Sequence, residues 1–252
     1  MSKPKLLDLF CGAGGAAMGY YRAGFDPYGI DNKPQPHYPF PFLLMDAMEA
    51  MDRLLRGEGL TFSNGETLYL ADFDAYHASP PCQFGSTMTR GRWKDRKHPN
   101  LIPATRERLD ATGKPYTIEN VEGSRRQLIT PVMLCGTMLG LQTSAGNQLR
   151  RHRYFECKGF WLLVPPCNHS QASAIGVYGG GQHPQRRVPA TIGVWGHAGG
   201  SSNRDGLVQF GTDARREAMG IDWMNGNELS EAIPPAFTEY IGKYLIEALK
   251  AK

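Results

Sequence analysis

The chain has 252 residues, 41% of them hydrophobic, and 28 basic against 24 acidic side chains give a net charge of +4. That size supports one large α/β domain with a small insert, and no run of about 18 apolar residues is present to span a bilayer. The first residues, MSKPKLLDLFCGAGG, lack the long apolar stretch of a secretory leader, and five cysteines are an odd count for a disulfide framework, so an intracellular protein with free thiols is expected.

Taken in chain order, residues 5–10 predict a short buried strand, 11–15 a Gly-rich turn and 16–23 a helix. Residues 28–31 predict a second strand that ends in an acid, Asp31. The segment 43–45 predicts a third strand, again followed by an acid, Asp46. Strand, glycine turn, helix, strand and acid form the opening unit of a nucleotide-binding α/β fold. Residues 74–78 predict a fourth strand running into Ser79-Pro80-Pro81-Cys82-Gln83. A helix is expected at 106–112, a strand at 116–119 leading to Asn120-Val121, and another strand at 153–156. The composition then shifts to Gly, Ser, His and Pro over 157–210, which reads as a loop-rich insert or small lobe. A helical pattern resumes at Thr212, and 239–249 predicts an amphipathic helix. The expected organisation is a catalytic and cofactor-binding domain over 1–156 plus 211–252, with a small recognition lobe at 157–210.

The glycines of DLFCGAGG let backbone approach a ligand closely. The interval from Asp8 to Asp31 is close to the roughly 20 residues of dinucleotide folds. The glycine spacing, however, is G-x-G-G and not G-x-G-x-x-G, which disfavours an NAD-type oxidoreductase. An adenosine ligand without a pyrophosphate fits better: Asp31 can accept from ribose hydroxyls and Asp46 from an adenine amino group. Cys82 sits at a strand end, stiffened by two prolines and followed by a basic stretch. A positive field there lowers a thiol below about 8.5 and favours the thiolate. Glu119 also closes a strand, and ends of successive parallel strands meet at one edge, so Cys82 and Glu119 can share a ligand. Arg151 and Arg153 alternate in an extended segment and are expected on one face, suited to an anion or carbonyl oxygen. Basic clusters at Arg90, Arg92, Lys94, Arg96 and Lys97, at 150–153, and at Arg186 and Arg187 suit phosphate contacts. Cys157, Cys167 and His169, with His183, are spaced irregularly for zinc, and packing of the small lobe without a metal is the expectation.

These elements, in this order, resemble the DNA cytosine-C5 methyltransferase family. FCGAGG resembles its cofactor loop, SPPCQ its nucleophile loop, Glu119-Asn120-Val121 its glutamate motif, and Arg151-x-Arg153 the two arginines of Q-x-R-x-R. The stretch 217–245, with Ile233-Pro234-Pro235-Ala236, resembles its closing motif. The resemblance covers about 1–156 and 212–250. It implies a Rossmann-like fold with a mostly parallel sheet, and S-adenosylmethionine held by Phe10, Gly12, Gly14, Gly15, Asp31, Asp46, Pro80 and Glu231. It also implies Cys82 as nucleophile, Glu119 at cytosine N3, Arg153 at O2, and Arg151 as support for Arg153 or for the nucleophile loop. Duplex DNA is the implied partner, contacted by Arg90, Arg92, Lys94, Lys97, Arg186 and Arg187, with Trp93 available to fill the gap left by a flipped base. Leu149 replaces the family's Gln, Glu231 replaces its closing-motif Asn, and the recognition region is short. An RNA cytosine methyltransferase and a non-catalytic nucleic-acid binder on the same fold stand as the rival readings.

Overall fold

The computed structural model describes residues 2–81, 99–169, 174–179, 191–196 and 211–251. The elements in chain order are β1 (Lys5–Leu9), α1 (Gly15–Ala23), β2 (Asp26–Asp31), β3 (Phe42–Leu44) and α2 (Ala47–Leu55). Then come β4 (Leu60–Thr61), β5 (Thr67–Leu68), β6 (Ala75–Ala78), α3 (Ile102–Ala111), β7 (Tyr116–Asn120) and β8 (Val132–Cys135). The rest are β9 (Gln148–Leu149), β10 (His152–Lys158), β11 (Ala174–Gly179), β12 (Thr191–Gly196), α4 (Thr212–Met219), α5 (Gly226–Glu231) and α6 (Pro235–Lys250).

Seven strands form the main sheet in the order β3-β2-β1-β6-β7-β10-β8. The first five are parallel, and β10 runs antiparallel to both of its neighbours. The mostly parallel, Rossmann-like expectation holds. Strands β6 and β7 are buried at every position and β1 at four of five, as strands covered on both faces must be. Leu7, Leu9 and Ile30 pack with Ala50, Met51 and Leu54 of α2 and with Leu109 of α3. On the opposite face Leu6 and Ala75 pack with Tyr20 of α1 and with Phe237, Ile241 and Leu245 of α6.

Helices α1 and α6 approach closely because Gly19 has no side chain: a Cβ there would lie 2.1 Å from the Pro235 carbonyl oxygen. The Thr238 hydroxyl donates to the Ala16 carbonyl at 2.8 Å across the same contact. This crossing returns the C-terminal helix to the Gly-rich turn.

Three differences from the sequence reading have physical reasons. Helix α3 starts earlier than expected because a proline fits the first turn, whose N–H groups have no partner within the helix. Helix α2 was not expected at all, because Asp46 was read only as a ligand acid. The stretch 157–210, read as loop-rich, contains β11 and β12, which pair in parallel with each other, and β11 also pairs in parallel with β9. Among the described residues no helix is long and apolar enough to cross a membrane.

Candidate active site

The chain steps from β1 to β2 and β3 on one side of the sheet, and returns through β6 and β7 on the other. The carboxyl ends of β1 and β6 therefore flank the switch point, where ligands bind in open α/β sheets. Every sequence-predicted residue of the cofactor and glutamate motifs within the described part stands at this edge or on the segment that closes over it.

The turn after β1 is strained. Phe10 takes φ 57, left-handed for a residue with a bulky side chain, and Gly12 and Gly14 follow at φ 49 and 84. The turn is braced rather than loose. The Cys11 N–H donates to the Ile30 carbonyl at 3.1 Å. Asp31 accepts from the Gly12 N–H through Oδ2 and from the Lys33 N–H through Oδ1, both at 3.0 Å. The Trp223 indole N–H donates to the Ala13 carbonyl at 2.8 Å. A Cβ on Gly15 would lie 2.4 Å from the Ile233 carbonyl oxygen, so the closing segment packs directly on the turn. A Cβ on Gly12 would meet nothing within 4 Å, so Gly12 faces the open side. Helix α1 begins there with no side-chain cap and no acid in its first turn.

Asp46 is exposed and caps α2, its Oδ1 accepting from the Met48 and Glu49 N–H groups at 2.9 and 3.1 Å. The cap accounts for this acid without any ligand. Glu231 is exposed at the end of α5, two residues before the Ile233 that touches Gly15.

The second half of the site is buried. Pro80 is buried, and its carbonyl accepts from the Asn120 amide at 2.8 Å. This bond ties the segment that precedes Cys82 to the end of β7. Glu119 Oε1 lies 2.9 Å from Arg153 Nε, and both side chains are nearly covered. Burial holds the Glu119 carboxyl above the usual carboxylate range, against the pull of Arg153, Arg151 and a hydrogen bond from Ser79. Arg151 is fully buried. Its Nη2 donates to the Ser230 and Ala232 carbonyls at 2.9 and 2.7 Å, so it fastens the closing segment, and its charge acts on Glu119.

Sequence reading missed a polar chain behind Glu119. The Tyr20 hydroxyl lies 3.1 Å from His77 Nδ1, and His77 Nε2 lies 2.9 Å from the Ser79 hydroxyl that bonds Glu119. His77 is fully buried, and that burial pushes its pKa down to about 3, so it stays neutral. Between pH 6.5 and about 3 the unfolded chain binds the proton that folded His77 refuses, so this residue makes stability fall as the pH falls. Glu119 and Asp8, both raised by burial, work in the opposite direction. Replacing His77 with Gln is therefore expected to flatten the acid loss of stability. Urea midpoints taken from neutral to about pH 4 should show a shallower decline in the variant, and equal slopes would refute this role.

Cys82, Arg90, Arg92, Trp93, Lys94, Arg96, Lys97, His183, Arg186 and Arg187 lie outside the described residues. Of the residues weighed for zinc, Cys157 packs against the core beside α1 and α6, and burial pushes its thiol up to about 12. Cys167 and His169 instead meet Cys135 and His152.

No family model matches the chain. The Type II methyltransferase M.AgeI of Thalassovita gelatinovora is 29% identical over 126 residues, which is 47% of this chain and 28% of that protein. The chain thus matches under a third of that relative's length. Among solved structures, the S. pombe Dnmt2 methyltransferase aligns over 97% of this chain and 99% of its own, with a TM-score of 0.52 and 15% identity. A protein described as an E. coli prophage DNA modification methyltransferase aligns over 98% and 99%, with a TM-score of 0.52 and 12% identity. At such identities the likeness establishes the fold.

Proposed function

We propose that this chain transfers a methyl group from S-adenosylmethionine to C5 of a flipped-out cytosine in duplex DNA, through addition of Cys82 to C6. The observation that carries the reading is the buried Glu119–Arg153 pair, tied through Asn120 to the Pro80 carbonyl two residues before Cys82. The pair lies on β7 and β10, with β6 between β7 and the strand that carries the strained, braced glycine turn. The similarity to M.AgeI supports methyl transfer as the reaction class.

The turn fits the donor. Gly12 opens to solvent, Asp31 offers lone pairs beyond the two that brace the turn, and Phe10, Gly14, Gly15, Asp46, Pro80 and Glu231 border the same edge. S-adenosylmethionine supplies an electrophilic methyl group. The chain's own residues do the rest. The Cys82 thiolate adds to C6, which gives C5 the electron density it lacks in cytosine. Glu119, whose proton affinity burial raises, shares a proton with N3 as charge develops there. Arg153 donates to the O2 carbonyl, and Arg151 fixes the closing segment over the turn. A base then removes the C5 proton and Cys82 is expelled. A stacked base cannot meet these groups, so the target must leave the helix. Residues 157–210 are proposed as the lobe that reads the target, and 1–156 with 211–252 as the catalytic domain. Arg90, Arg92, Lys94, Lys97, Arg186 and Arg187 are proposed to contact phosphates.

The test is nucleoside mass spectrometry after incubating the full chain and S-adenosylmethionine with unmodified DNA, and in parallel with tRNA. 5-Methylcytosine in DNA that disappears with Cys82→Ala is expected. Product in tRNA alone would move the substrate class to RNA. No modified cytosine in either polymer, from protein shown to be folded, would overturn the reading and leave the non-catalytic binder.

A further inference from the structure

At the far edge of the main sheet, four side chains from three segments converge on one point. Cys135 ends β8 and His152 begins β10, and the two are direct partners in the antiparallel register. Cys167 and His169 come from the coil that leads towards β11. One ligand atom from each of the four lies within 4.8 Å of all the others.

We propose that Cys135, His152, Cys167 and His169 form a structural Cys2His2 zinc site that pins the start of the 157–210 segment to the β8–β10 edge. A tetrahedral zinc with Zn–S of about 2.3 Å and Zn–N of about 2.0–2.1 Å sets the edges of its ligand tetrahedron. Those edges are about 3.3 Å between two nitrogens and about 3.6 Å between sulfur and nitrogen. His152 Nε2 and His169 Nε2 are 3.3 Å apart. Cys167 Sγ lies 3.6 Å from His152 Nε2, and Cys135 Sγ lies 3.4 Å from His169 Nε2. One edge, Cys167 Sγ to His169 Nε2, is shorter at 2.9 Å.

Both histidines aim the same nitrogen inward, and their rings are stacked at 11° with centroids 5.1 Å apart. A cation shared by the four ligand atoms accounts for two nitrogens and two sulfurs held this close together. Two thiolates would neutralise its charge.

The surroundings supply the outer partners that such sites use. The Thr137 hydroxyl donates to Cys135 Sγ at 3.3 Å and lies 3.6 Å from Cys167 Sγ. Arg150 Nη2 donates to the His169 carbonyl at 3.0 Å, which holds the last ligand's backbone. Four protein ligands leave no open position, so the site is structural rather than catalytic. Its consequence is positional. His152 sits between Arg151 and Arg153, and Arg153 Nη1 donates to the His152 carbonyl at 3.1 Å. A metal on His152 therefore steadies the strand that presents Arg153 to Glu119. The site itself does not rest on the methyl-transfer reading.

The test is elemental analysis of the tag-free full chain, purified without chelator. The expected result is about one zinc per chain, retained by Cys157→Ser and lost by Cys167→Ser with His169→Ala. Because the ligand variants risk misfolding, the wild-type chain is also stripped and reloaded with Co2+. Tetrahedral ligand-field bands with thiolate-to-cobalt charge transfer are expected, together with slow thiol labelling that a chelator accelerates. Sub-stoichiometric metal in the wild-type chain, an octahedral Co2+ spectrum, or full metal retention by the double variant would each overturn the proposal. So would a Cys135–Cys167 disulfide in the freshly purified protein.

Discussion

Changing Glu119 to Gln is expected to slow methyl transfer by about 10²–10⁴-fold, the usual worth of a positioned proton donor. Gln matches the shape of Glu and keeps an oxygen beside the Arg153 guanidinium, so the fold should persist. What it loses is the proton that must follow charge onto N3. The direction of the Glu119 shift adds a second signature. Burial raises its pKa, so the group is proton-loaded at low pH and empties as pH rises through its folded value. In the proposed reaction the wild-type rate at saturating substrate should therefore decline on the alkaline side. The Gln variant, with no proton to lose, should lack that limb while keeping whatever residual rate its amide supports. A pH–rate series on both proteins reads both effects. A variant that keeps the wild-type rate, or a slowed variant with an unchanged alkaline limb, would remove Glu119 from the proton-holding role.

How much of this was legible in the sequence depends on how local each feature is. The glycine turn and Asp31 were readable because strand, turn and acid are near neighbours, and the structure joins them by a direct bond from Gly12 to Asp31. The pairing of Glu119 with Arg153 was readable only as motif order. The antiparallel register of β7 and β10, which no spacing predicts, is what makes the contact. The chain from Tyr20 through His77 to Ser79 was invisible: Tyr20 and His77 are 57 residues apart, and each looks like an ordinary core residue. Asp46 misled because one carboxylate serves two grammars, the acid after a strand and the N-cap of a helix, and the chain uses it at least for the second. Of the four clustered Cys and His side chains, Cys167 and His169 were weighed for zinc, and Cys135 and His152 escaped for a related reason. Zinc motifs are recognised by tight spacing, whereas here strand register supplies the first pair and a long coil returns the second. Cys157, irregularly spaced from Cys167 and His169, lies on the wrong side of the strand.

Arg151 shows best how burial changes a motif's meaning, and its substitution has a large expected effect on stability. Its guanidinium is fully buried and grips two carbonyls, of Ser230 and Ala232, that lie 79 and 81 residues away in sequence. Hydrogen bonds to a charged group are worth about 1.5–3 kcal/mol each, and a stranded acceptor adds a cost of its own. Arg151→Met keeps most of the side-chain volume and also relieves the burial of a charge, which offsets part of the loss. The net expectation is about 2–4 kcal/mol of destabilisation. For a chain of this size that is a fall of very roughly 5–15 °C in Tm. Arg151→Lys should recover part of it, because an ammonium can still donate to both carbonyls. The consequence for the site follows from Gly15, against which the Ile233 carbonyl packs only while the closing segment is held down. At temperatures where Arg151→Met is folded, S-adenosylmethionine should bind more weakly, while the chemical step on saturated enzyme should change less than it does for Glu119→Gln. Calorimetry of unfolding and of ligand binding separates the two effects. A Met variant with unchanged Tm and no turnover would return Arg151 to the base, as strand alternation alone would have it. A variant that melts early, binds the donor weakly and still turns over would assign the first arginine of the pair to holding the site together, and the second to the chemistry.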